Sequence, residues 1–195
     1  MSTRSPYIPA DLARKRILDA ARTLLAERPF AELTVGALMA EAGLARTVFY
    51  RHFEDLPSLA PELLPDADDP LVDRVERRAT QRPQRPQESA REMVEGLVGL
   101  FAEHGRLLRA IDDAAGRDPA VAQRLEGALV APREFIERLL SAAPHPPPQP
   151  AESARVLMAT HRAYLLDTFG AADAPPGAPA AARTALLALW ERLLA

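Results

Sequence analysis

Cysteine is absent from the 195-residue chain. That excludes a disulfide framework, a thiol nucleophile and every cysteine-containing zinc module. Lysine is reduced to Lys15, and aromatic residues make up only 5%. No apolar run approaches the roughly 18 residues of a membrane span. Met1 to Arg16 lacks the apolar stretch of a signal peptide, so the expected compartment is the cytoplasm, with no membrane partner. The four histidines, at 52, 104, 145 and 161, show no metal-ligand spacing, and phosphate-cradling glycine loops and nucleophile elbows are missing. No metal, no cofactor and no catalytic residue is therefore assigned, and an enzyme is not expected.

What remains is ordinary globular composition, 48% hydrophobic and 26% charged. A domain of this size hides roughly 70% of its unfolded surface. The net charge is −3, but it is unevenly spread. Residues 1–53 hold eight Arg/Lys against five Asp/Glu, a balance of +3, and the rest hold sixteen against twenty-two, a balance of −6. A basic front on an acidic body is a charge asymmetry that suits a nucleic-acid contact at one end.

Periodicity predicts an all-α fold. Ala13, Ile17, Ala20, Ala21, Leu24 and Leu25 recur at three- and four-residue steps, which gives a helix over 12–28 ended by Pro29. Thr34 is placed to cap a second helix carrying Val35, Leu38, Met39 and Ala42, closed by Gly43. A third runs from Arg46 to His52. Prolines 57, 61 and 65 should shorten or kink whatever follows. Further helices are predicted over 70–80, 88–104, 105–115, 118–142 with a kink at Pro132, 151–169 and 179–194. Residues 81–87 read as a loop and His145 to Pro150 as a polyproline-like linker.

Three short helices, the last two joined by a three-residue glycine turn, describe a helix-turn-helix. Its third helix must bury one side on the other two and leave the opposite side bare for a DNA major groove. Leu44, Val48, Phe49 and Phe53 form the inner side. Arg46, Thr47, Tyr50 and Arg51 fall on the outer one. That face offers an arginine suited to guanine O6 and N7, a threonine methyl and hydroxyl, and a tyrosine hydroxyl. His52 serves either packing or phosphate contact. Arg14, Lys15 and Arg16 read most simply as a solvated helix start, and Arg4 as part of an arm that can reach DNA.

The run from Leu33 to Phe53, LTVGALMAEAGLARTVFYRHF, resembles the DNA-binding signature of tetracycline-repressor (TetR) family regulators. In that family the threonine before helix two, the glycine of the turn and the Tyr-x-His-Phe end of helix three recur together. The resemblance implies a DNA-binding unit over 1–55, with Thr34, Val35, Arg46, Thr47, Tyr50, Arg51 and His52 at the DNA, and a ligand-binding and dimerisation unit over 56–195. It implies a homodimeric repressor on a palindromic double-stranded operator, released by a small effector. Three departures stand out: Ala45 where the family often has a capping serine, Val48 where it often has threonine, and Leu56 where it has a phosphate-gripping lysine. They suggest weaker non-specific DNA binding. A further likeness to the ethionamide-repressor branch surrounds His161-Arg162 and Trp190.

In the body, Met93, Leu97, Phe101, Phe135, Leu139 and Met158 lie on different helices facing one interior, with Thr160, His161 and Tyr164 as polar groups among them. This reads as the wall of a mostly apolar effector pocket. Residue by residue the stripe reads first as core, and the family resemblance implies that this core is itself hollowed, so the two readings are not exclusive. Acidic charge on the body favours a neutral or cationic effector. Ala154, Leu165 and Phe169 on one late helix, and Ala182, Ala185, Leu186, Leu189 and Leu193 on the last, form the expected dimer contact. Two other readings stay open: a helical cofactor-binding protein or enzyme with an incidental three-helix start, and a helical protein-interaction module without DNA binding. A protein-binding surface would show apolar anchors in place of the Arg46/Thr47/Tyr50/Arg51 face.

Overall fold

The computed structural model describes residues 8–63, 85–171 and 174–195. The predicted helix over 70–80, most of the loop after it and the arm with Arg4 lie outside the described residues. The order is α1 (Ala10–Glu27), a 3-10 turn (Phe30–Glu32), α2 (Val35–Glu41), α3 (Arg46–Phe49), a second 3-10 turn (Pro57–Leu63), α4 (Pro86–Ala115), α5 (Pro119–Ala128), α6 (Val130–Ser141), α7 (Pro150–Phe169) and α8 (Ala178–Leu193). Among the described residues there is no strand. None of their helices is long and apolar enough to cross a membrane.

Two elements differ from the sequence reading. The helices predicted at 88–104 and 105–115 are one, the 30-residue α4, about 45 Å long at 1.5 Å per residue. Gly105 does not break it. A Cβ there would lie 2.4 Å from the Phe169 carbonyl oxygen, so this glycine is where α7 crosses α4. Conversely, the single helix predicted over 118–142 is two, parted at Leu129. Pro132 has no N–H, and its ring excludes the carbonyl four residues back, so it sits in the first turn of a new helix, where proline is tolerated. Asp118 caps α5 as its position suggests, its carboxylate accepting from Ala120 N at 2.7 Å.

The buried residues form two clusters. The first joins α1, α2 and α3 to Leu59, Ala60 and Leu63 of the second 3-10 turn, to Leu107, Ala110, Ile111 and Ala114 of α4, and to Val121 of α5. The second joins Ala90, Val94, Val98 and Phe101 of α4 to α6, α7 and α8. So α4 runs through both, and the first core crosses the boundary expected near residue 55. The Arg106 guanidinium also donates to the Ala26 carbonyl, fastening α4 to the end of α1.

Candidate nucleic-acid interface

Local chemistry sets the geometry of the helix-turn-helix. Thr34 caps α2: its hydroxyl accepts from Ala37 N at 3.1 Å. At the other end Leu44 N reaches Met39 O at 3.0 Å and Gly43 N reaches Ala40 O at 3.1 Å. That pair of bonds is the Schellman closure, which needs a left-handed residue, and Gly43 supplies it with φ +63°. Leu44 then packs onto the first core, and the chain turns into α3. The regular part of α3 ends at Phe49, earlier than predicted, and a tight turn carries the chain to Phe53, whose N–H bonds Phe49 O at 3.0 Å.

The inner side of α3 is firmly held. Phe49 is wholly buried and stacks on Phe53 with ring centroids 5.5 Å apart. Burying a side chain of that size contributes about 2–3 kcal/mol. Arg14 of α1 lies over the Phe53 ring, 5.1 Å from its centroid, and pairs with Glu62 of the second 3-10 turn. Of the three cations expected to be a solvated helix start, Arg14 is therefore structural, while Lys15 and Arg16 are exposed.

The outer side is bare. Arg46, Thr47, Tyr50 and Arg51 are all exposed, Tyr50 by 56%. Its ring stands edge-on to Phe49 with centroids 5.4 Å apart. Thr34 is exposed at the start of α2, Val35 is half-buried against the core, and His52 is half-buried beside α3. Tyr50 is the one exposed large aromatic on this face; the other large hydrophobic side chains exposed among the described residues, Leu12, Val130, Val156 and Tyr164, belong to other helices.

The body brings together some of its predicted residues and separates others. Phe101, Phe135 and Leu139 are buried in the second core, with Met93, Leu97 and Met158 packed against it. Thr160 and Tyr164 are corrected: both lie on the exposed side of α7, and the Thr160 hydroxyl is bonded to Val156 O. His161 is 1% exposed, yet both its nitrogens are engaged. Trp190 Nε1 donates to Nε2 at 3.1 Å, so the ring hydrogen sits on Nδ1, which meets Leu157 O at 2.5 Å. Burial lowers the His161 pKa below its ordinary value, against a smaller opposing effect of the Leu157 carbonyl. Two clefts near this core, about 630 Å³ beside His145 and Arg192 and about 360 Å³ between Gln87 and Trp190, are lined by none of the nine predicted pocket residues.

The predicted dimer contact needs the larger correction. Ala154, Leu165, Phe169, Ala182 and Leu186 are buried within the single chain, and Leu189 and Leu193 are half-buried. Only Ala185 of that set is exposed. The outer face of α7 instead carries Val156, Ala159, Ala163 and Tyr164, and that of α8 carries Ala181, Ala185 and Ala188. Sequence reasoning found an apolar stripe on each helix and assigned it to the partner, when that stripe is the chain's own core. The missed signal is a helix apolar on both sides.

Residues 17–56 match the family described as bacterial regulatory proteins, tetR family. An uncharacterized HTH-type transcriptional regulator of Haemophilus influenzae is 38% identical over 61 residues, which span 31% of this chain and 30% of that one. The whole fold is similar to a transcriptional regulator of Rhodococcus sp. Rha1, 20% identical with TM-score 0.69 over 92% of this chain and 96% of the other. It is also similar to NalD of Pseudomonas aeruginosa, secondary repressor of the MexAB-OprM multidrug efflux pump, 20% identical with TM-score 0.68 over 95% and 98%. SmeT, repressor of the Stenotrophomonas maltophilia efflux pump SmeDEF, is 21% identical with TM-score 0.60 over 90% and 89%. Residues 17–56 thus match the tetR family of bacterial regulatory proteins, on a chain whose overall fold is similar to that of solved transcriptional regulators.

Proposed function

We propose that the chain is a transcriptional repressor that binds a palindromic operator as a homodimer and lets go when a small apolar effector enters its body. The observation that carries this reading is the α3 face: two arginines, a threonine and a tyrosine exposed together on a helix whose other side is fixed in a core. Arg46 and Thr47 read base edges; Tyr50, Arg51 and His52 with the start of α2 at Thr34 and Val35 hold phosphates.

Dimerisation is assigned to the outer faces of α7 and α8. Val156 is 64% exposed and Tyr164 36%, and the small residues Ala159, Ala163, Ala185 and Ala188 let a partner's helices approach closely. A twofold contact between these faces sets the recognition helices about one DNA turn apart, roughly 34–36 Å.

The effector is assigned to the second core, among Met93, Leu97, Phe101, Phe135, Leu139 and Met158. Unbranched methionines at its half-buried edge can rearrange around a guest. With both nitrogens of His161 spent and Thr160 and Tyr164 outside, little polar recognition is left, which favours a neutral or cationic apolar ligand. Such a ligand releases DNA only by binding better to a conformation whose recognition helices are wrongly spaced. The finer likeness to the ethionamide-repressor branch rests on His161, Arg162 and Trp190 alone. The test is a genomic pull-down with the full chain and with Arg46→Ala: enriched DNA from the former and none from the latter supports the reading, and equal retention sinks it.

A further inference from the structure

Where α1, α4 and the end of α7 meet, a pocket of about 270 Å³ is lined by Arg28, Arg106, Arg109, Asp113, Phe30 and Gly170, among others. It holds three guanidinium groups, all half-buried. Arg106 is spent on the Ala26 carbonyl at the end of α1. Among the described residues, Arg28 and Arg109 make no side-chain hydrogen bond or ion pair. Each presents five N–H donors in a rigid fork. The Arg109 stem runs close over Gly170, where an added Cβ would lie 2.9 Å from its Nε, so only a glycine leaves room for it there. Asp113 and the exposed Glu27 offset two of the three charges. The C-terminal carbonyls of α1 supply the acceptor for Arg106, but they leave the other two forks unused. Leu25 and Phe30 give the pocket an apolar floor.

We propose that this pocket binds a small organic anion, whose carboxylate or phosphate oxygens take the forks of Arg28 and Arg109 and whose short carbon skeleton lies on Leu25 and Phe30. Forked guanidinium–oxyanion pairs are the strongest polar contacts available to a protein surface. The site is separate from the apolar second core and has the opposite preference in charge. Because Arg28 belongs to the end of α1 and Arg109 to α4, a bound anion ties the first core's leading helix to the long helix that runs into the second. Any effect on DNA affinity rests on the repressor reading; the binding itself does not.

The test is calorimetric titration of the full chain in chloride buffer at fixed ionic strength, with glycerol 3-phosphate, succinate and, as an uncharged skeleton, 1,4-butanediol. Saturable binding of one dianion per chain is expected, with none of the diol. Arg28→Gln and Arg109→Gln should each weaken it about tenfold or more. Arg28→Lys, which keeps the charge and loses the fork, should weaken it less, and Arg117→Gln, on the exposed turn after α4, should leave it unchanged. Circular dichroism checks that each variant is folded. No saturable binding in the low-millimolar range, or equal binding by folded Arg28→Gln and Arg109→Gln, overturns the proposal. A chain that binds the dianion and no DNA would overturn the repressor reading and leave this one standing.

Discussion

Gly105 offers a sharp test of how the two halves of the body pack. In an isolated helix, Gly→Ala stabilises by about 1 kcal/mol, because alanine loses less backbone freedom. At position 105 the added Cβ would lie 2.4 Å from the Phe169 carbonyl oxygen and 2.7 Å from its carbonyl carbon, where ordinary contact begins at 3.4 Å. The obstacle is backbone, so α4 and α7 must part by about 1 Å. They are poorly able to. Leu165 and Phe169 are buried beside the crossing, and Arg162 of α7 is paired with Asp112 of α4. Overpacking a tight contact typically costs about 1–3 kcal/mol or more, which outweighs the propensity gain. Gly105→Ala should therefore lose about 1–2 kcal/mol, a fall in Tm of roughly 2–8 °C for a chain of this size. Gly127 is the internal control: it lies in α5 with nothing within 4 Å of its added Cβ. Gly127→Ala should gain up to about 1 kcal/mol. Calorimetric Tm and urea midpoints on both variants decide it. If Gly105→Ala stabilises as Gly127→Ala does, the helices do not cross as closely as described.

Arg46→Ala should cost roughly 1–3 kcal/mol of operator affinity and relax preference at one base position, and Tyr50→Phe should also weaken binding; fluorescence anisotropy on an enriched fragment reads both. Thr34→Ala removes the cap bond to Ala37 N, which is worth about 1 kcal/mol to α2, so it should lower Tm as well as DNA affinity. The His161 pKa is lowered on folding, so its neutral form contributes stability that is complete above the unfolded value near 6.5 and is lost as pH falls from there through the folded value. The urea midpoint of the wild type should thus drop between pH 6.5 and 5.5 more steeply than that of His161→Gln; parallel curves would refute the buried, neutral assignment. Ala163→Glu and Ala185→Glu, both on the outer face, should yield a folded monomer in sedimentation at micromolar concentration, whereas an unaltered dimer would remove these helices from the interface.

The helix-turn-helix was legible nearly residue by residue because its determinants are local. A threonine cap, a left-handed glycine and an amphipathic turn act within four residues of themselves, and the structure places Thr34, Gly43 and Phe49 as their chemistry demands. The helix boundary expected between 104 and 105 is absent: the sequence shows a glycine at 105 and not what approaches it. A helix-breaking residue and a helix-crossing residue look alike until Phe169, sixty-four positions away, is seen against it. Pro132 was misjudged by one step for a related reason: proline specifies that a helix cannot continue through it, and the break at Leu129 depends on which preceding carbonyl gives way.

The body resisted for a different reason, which bears on how such a chain could work. Periodicity identifies an apolar face, but not whether the chain or a partner covers it. Ala154, Leu165 and Ala182 are buried by their own chain, so the dimer contact proposed above is placed on a second, weaker face that residue spacing alone did not separate. The polar residues followed the same rule: Thr160, His161 and Tyr164 are near neighbours in sequence, yet only His161 points inward, and it is held there by Trp190. The consequence is mechanical. The outer faces of α7 and α8 and the inner wall of the second core are opposite sides of the same two helices, while α4 lines that core and also anchors the DNA-reading unit through Leu107, Ala110, Ile111 and Ala114. A guest that displaced α4 from α7 would necessarily move the helix on which α1 rests, and the close crossing at Gly105 leaves little slack in which that motion could be absorbed. An interior this tightly joined transmits strain, and does not dissipate it.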